Sequence, residues 1–92
     1  MTYSTFLWDE ARGDDYAAWG TSTWYFEVDP NQDVVKQLEH YANGIVLTYD
    51  QTHAADTYGM LSDKPFDPLG TQAITKETFY ALWNQTQAYN RS

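Results

Sequence analysis

The chain reads as an α+β domain: an antiparallel, mostly meander β-sheet of about four to five strands, with a C-terminal helix packed on one face. Three observations predict it. Two early runs alternate apolar and polar residues, an Asn43-Gly44 dipeptide separates two further strand-like runs, and the last quarter carries an apolar stripe at helical spacing. Ninety-two residues correspond to one domain spanning 1–92. So short a chain buries only about 60–65% of its unfolded surface, so its core must be dense in large side chains. The 4 Trp, 8 Tyr and 4 Phe residues supply them.

Tyr3 to Asp9 predicts the first strand, with Phe6 and Trp8 on one face. Gly13 to Gly20 fits either one or two helical turns, capped by Asp14 and stopped by Gly20, or an irregular loop. Ser22 to Val28 is a second strand: Trp24, Phe26 and Val28 form an apolar face, Tyr25 and Glu27 are expected on the outward one, and Asp29-Pro30-Asn31 turns the chain.

Val34 to Ala42 and Ile45 to Asp50 then form a hairpin around Asn43-Gly44, the dipeptide suited to a two-residue type I′ turn. That loop would set Ala42 opposite Ile45, Tyr41 opposite Val46, His40 opposite Leu47 and Leu38 opposite Tyr49. Leu38, His40, Ile45, Leu47 and Tyr49 would share the core face, with Val35, Glu39, Tyr41, Val46 and Thr48 on the other. His40 would then be a packed, hydrogen-bonded imidazole. Thr57 to Leu61 suggests a short fifth strand, and Pro65 to Gly70 an ordered wrapping loop anchored by Phe66 and Leu69. In the closing helix Thr75 is the N-cap, Ile74 staples onto Phe79, and Phe79, Leu82, Trp83 and Thr86 form the buried stripe.

Charge narrows the function. The net charge is −8, and the acids crowd the first third: Asp9, Glu10, Asp14, Asp15, Glu27, Asp29 and Asp33 face one base there, Arg12. Nucleic-acid binding needs the opposite sign, and an anionic membrane surface would repel this chain. A basic protein is the electrostatically sensible partner; the plain alternative is that the acids keep an aromatic-rich domain in solution. The opening residues lack a signal-peptide pattern, and no apolar stretch approaches the ~20 residues of a membrane span. A cytoplasmic location is therefore expected.

Little in the chain is organised for chemistry. It has no cysteine, which excludes a disulfide scaffold, a thiolate zinc site and a cysteine nucleophile. Asp50-x-x-His53-x-x-Asp56 matches no strong metal spacing. The neighbouring acids Asp9-Glu10 and Asp14-Asp15 are not set apart across a pocket as paired acid–base catalysts must be. Serine-nucleophile and glycine-rich phosphate motifs are missing. No cofactor, metal ligand or catalytic residue is expected, and the chain is read as a non-enzyme. Rings beside carboxylates do suggest a binding surface, and the expected partner-binding residues are Asp14, Asp15, Trp19, Tyr25, Glu27 and Asp29.

From Phe26 onward further motifs follow in order. They are Phe26-Glu27-Val28-Asp29, the strand Val35-Lys36-Gln37-Leu38-Glu39-His40-Tyr41, then Gly44, Gly59 and Pro65, and a helix with Ile74-Thr75-Lys76-Glu77-Thr78-Phe79 and Leu82-Trp83. Over about residues 26–83 this pattern resembles a bacterial family of short stand-alone α+β proteins of unknown function. Similar small proteins look like immunity partners in toxin systems, so the resemblance implies binding and transfers no catalytic residue. The expectation is an immunity or antitoxin-type protein that neutralises a basic toxin or nuclease. Alternatives are a phage-encoded inhibitor of a bacterial defence protein, a small ligand-binding or hydrolytic domain using His40 or His53, and an assembly subunit pairing through a sheet edge.

Overall fold

The alternating runs of the sequence pair into one five-stranded sheet. The computed structural model describes residues 1–91. The strands are β1 (Thr2–Trp8), β2 (Ser22–Val28), β3 (Val34–Tyr41), β4 (Val46–Asp50) and β5 (Gln72–Ala73), and the helix α1 spans Lys76–Gln85. Their spatial order is β4-β3-β2-β1-β5, with every neighbouring pair antiparallel. The first four strands are a meander, and β5 returns from a long loop to the far edge of β1. The predicted α+β architecture is the one observed.

Side-chain chemistry sets each corner. In the β2–β3 turn, Asp29 Oδ1 accepts hydrogen bonds from the backbone N–H groups of Asn31 and Asp33, at 2.9 and 3.0 Å. The Gly13–Gly20 segment contains a single 3-10 turn, Ala17–Trp19, ended by Gly20 at φ +85°. Thr75 caps α1 as predicted, its side chain accepting from Thr78 N–H.

The β3–β4 hairpin differs from the sequence expectation by one residue of register. Gly44 N–H donates to Tyr41 C=O, and Tyr41 N–H donates to Ile45 C=O. Gly44 alone in this turn takes a left-handed conformation, at φ +93°, so the loop is three residues, Ala42-Asn43-Gly44, and not a type I′ pair. Asn43 stabilises it by accepting from Ile45 N–H through Oδ1. His40 therefore faces Val46, Leu38 faces Thr48, and Gln37 faces Tyr49. Since side chains alternate across a strand, this moves Tyr41 onto the face of Leu47 and Tyr49 and leaves His40 exposed on the other. The expected packing of His40 against Leu47 is overturned.

Two loop expectations also change. Residues 57–61 form no strand; a lone Ala55–Met60 bridge closes that loop, and the fifth strand is Gln72–Ala73. Phe66 does anchor the wrapping loop, with its ring 5.6 Å from that of Phe26, but Leu69 points outward and is 83% exposed.

The helix covers one sheet face. Phe79, only 1% exposed, packs on Tyr3 and stacks with Trp83. Beneath it Glu27 ties helix to sheet: its Oε2 accepts from Tyr3 Oη and Tyr80 Oη at 2.7 and 2.6 Å, and its Oε1 from Lys36 Nζ at 3.3 Å. Burial opposes ionisation of Glu27, but the bonds from Tyr80, Tyr3 and Lys36 outweigh it and hold the carboxyl below the usual glutamate range. On the opposite face Trp19, Ile45, Tyr58 and Leu61 close over Tyr41, Leu47 and Tyr49.

Removing the Glu27 carboxylate strands two phenols and an ammonium under the helix. Glu27→Ala is expected to lower stability by about 3 kcal/mol in urea denaturation. The exposed Leu69→Ala should change it by less than about 0.5 kcal/mol.

Candidate functional site

The loops close only half of the second face. Over β3 and β4 the aromatic cluster seals the sheet, whereas over β1 and β2 it is left as an open groove. Register explains the lining. Phe6 pairs with Trp24, and Phe26 and Trp8 lie one step away on the same face. The groove holds about 580 Å³ and is walled by Phe6, Trp8, Trp24 and Phe26 on the sheet side, and by Phe66 and Leu69 on the loop side. That size and apolar character are those of a ligand or side-chain receptor.

The rings are fixed in place. Phe6 lies 6.0 Å from Trp8, and Trp24 lies 6.1 Å from Phe26, centroid to centroid. Trp24 Nε1 donates to Ser22 Oγ at 2.8 Å, which satisfies the indole and fixes its plane. Phe66 N–H donates to Gln32 C=O at 2.7 Å, anchoring the loop wall to the β2–β3 turn. Trp8 and Leu69 are large apolar side chains that protrude at the mouth.

Arg12 and Asp14 form one end of the groove. The Arg12 guanidinium stacks over the rings of Tyr16, Trp19 and Tyr41 at 5.1, 5.4 and 5.8 Å. It also donates to Asp14 Oδ2 at 2.6 Å and to the Tyr58 carbonyl. The Arg12 bonds hold the Asp14 carboxyl below the ordinary aspartate range. At the loop side Asp67 Oδ1 accepts from Leu69 N–H at 2.9 Å.

The six residues expected to bind a partner do not form one patch. Asp14 lines the groove, and Asp15 is exposed beside it. Trp19 is half-buried in the adjacent cluster, with its ring 5.2 Å from Tyr41. Tyr25 and Glu27 lie on the opposite, helix-covered face, where Glu27 is only 4% exposed, so the outward placement expected of it is corrected. Asp29 is taken up by its own turn. The residues that the sequence reading did not select are Phe6, Trp8, Trp24, Phe26, Phe66 and Asp67. The period-two faces of the first two strands carried the signal for four of them, once β1 is paired with β2.

Neither histidine lines the groove. His40 is exposed on the helix-side face, and His53 Nε2 lies 2.8 Å from Asp56 Oδ2. Asp56 organises the 50–60 loop: it also accepts from Tyr49 Oη, Asn90 Nδ2 and the backbone N–H groups of Tyr58 and Gly59. Burial opposes its ionisation, but those bonds prevail and depress its pKa strongly. Asp50 is committed to Thr52, His53 N–H and Arg91. Among the described residues no cluster of three or more His, Cys, Asp or Glu is arranged to hold a metal, and no helix is long and apolar enough to cross a membrane.

Comparison with protein-family models, curated proteins and solved structures finds no match to this chain.

Because the folded-state pKa of Asp56 is depressed, the stability it contributes is complete above the unfolded value of about 4 and is lost as pH falls below it. Asp56→Asn should lower neutral-pH stability by about 2–3 kcal/mol and flatten the acid limb of the stability profile, measured by urea denaturation between pH 7 and pH 3.

Proposed function

We propose that this chain is a small acidic protein-binding module of the immunity or antitoxin type, which neutralises a basic toxin or nuclease by seating part of that partner in the aromatic groove. One observation carries the reading: a preformed aromatic groove has protruding Trp8 and Leu69 at its mouth and the carboxylates Asp14 and Asp67 in its lining. Exposed Asp9, Glu10, Asp15, Asp33 and Asp63 adjoin its lining segments in sequence, against one exposed base that does so, Lys64. Aromatic anchors ringed by charge are the usual composition of a protein-binding centre. Acids placed this way also speed encounter with a basic partner and repel nucleic acid. The sequence resemblance over about residues 26–83 to a bacterial family of short stand-alone proteins of unknown function, which implies an immunity partner, favours a toxin over other basic partners.

Three other acids have different work. Glu27, Asp29 and Asp56 hold the fold together, so the binding charge comes from carboxylates on the loops around the groove.

Capture from the native host, followed by calorimetric titration of the captured protein, tests this reading. The partner is expected to be basic, to bind at least tenfold more weakly to Trp8→Ala with Leu69→Ala, and to weaken steeply between low and high salt. A captured partner that binds both forms equally, or is indifferent to salt, would contradict it.

A further inference from the structure

The composition of the groove is more specific than apolarity alone. Five of its lining side chains are aromatic: Phe6, Trp8, Trp24, Phe26 and Phe66. Ring faces carry negative quadrupole potential and attract cations, whereas a receptor for a leucine or valine needs no such excess of rings. The charge at the rim has the matching sign. Arg12 is neutralised internally by Asp14, which leaves Asp67 as a lining carboxylate with no base in ion-pair reach among the described residues.

The same chain already holds two of its own cations in this way. Arg12 lies over three rings with Asp14 as its carboxylate. Lys36 lies over Tyr80 and Trp83, at 5.6 and 5.9 Å, with Glu27 as its carboxylate. Rings and a carboxylate recur in the groove, but among the described residues no cation lies over those rings.

We propose that the groove is a receptor for a cationic side chain, arginine above all, presented by the basic partner. This rests on the protein-binding reading and names what the site takes. The aliphatic stem of an arginine suits the ring walls, and its flat guanidinium stacks on aromatic faces while reaching a rim carboxylate. A second copy of this chain is disfavoured as occupant, since both copies carry −8.

The four tryptophans make the test direct. Trp8 and Trp24 line the groove, whereas Trp19 and Trp83 lie outside it. Nitrogen-15-labelled protein is titrated with the capped tripeptide acetyl-Gly-Arg-Gly-amide and with its citrulline and norleucine counterparts, while the indole N–H signals are followed. The arginine peptide is expected to move Trp8 and Trp24 but not Trp19 or Trp83, and to half-saturate at roughly one-fifth of the citrulline concentration. Asp67→Asn keeps an oxygen to accept from Leu69 N–H and should weaken the arginine peptide about threefold. Equal saturation by citrulline or norleucine, movement centred on Trp19 or Trp83, or no movement with any peptide overturns the assignment. If the peptides fail while Trp8→Ala still weakens the captured partner, the cation receptor falls and the protein-binding reading survives.

Discussion

Gly44, held at φ +93°, decides which side chains of β3 and β4 share a face. A left-handed residue at this point of the hairpin lengthens the loop to three residues, and that single step sets Tyr41 beside Ile45 and Glu39 beside Leu47. Tyr41, Leu47 and Tyr49 then form one surface, on which Trp19 and Tyr58 settle. The loop from β1 to β2 follows, because Arg12 is held by the same rings and donates to Tyr41 Oη at 3.4 Å. Where that cluster ends, the groove begins. A close fit at the cluster edge keeps the boundary firm: a Cβ at Gly20 would come within 2.9 Å of Ala42 Cβ.

The sheet thus has two different faces. Its helix side is closed by phenols and a lysine converging on one buried carboxylate, an arrangement in which these polar groups are satisfied. Its other side is closed over half its width and apolar in the open half. The outer edge of β4 is covered in similar fashion: the Asn90 side chain accepts from Thr48 N–H and donates to Thr48 C=O, in the place a neighbouring strand would occupy. That cover blunts edge-to-edge pairing.

Much of the fold was legible in the sequence because its signals are local. The alternation of Ser22–Val28, the Thr75 cap and the Phe79–Trp83 stripe each follow from a few neighbouring residues. Asn43-Gly44 marked the right turn but the wrong loop length, since the dipeptide is compatible with both two- and three-residue hairpins. The β5 strand was hidden because two residues pairing with Ser4 and Thr5 have no period of their own. Glu27 looked outward by alternation, yet tyrosines twenty-four residues before it and fifty-three after it bury it, a long-range fact that no window of sequence contains. The groove likewise needs β1, β2 and the 62–71 loop brought together. Its rings were visible as an excess of aromatic residues, but their shared address was not.

The hairpin register can be read directly from nuclear Overhauser contacts between α-protons, which are strong for directly opposed residues in non-hydrogen-bonded pairs. The three-residue loop predicts contacts between His40 and Val46 and between Leu38 and Thr48. Contacts between Tyr41 and Val46 and between Glu39 and Thr48 would contradict it. They would return Tyr41 to the other face and remove the cluster that bounds the groove.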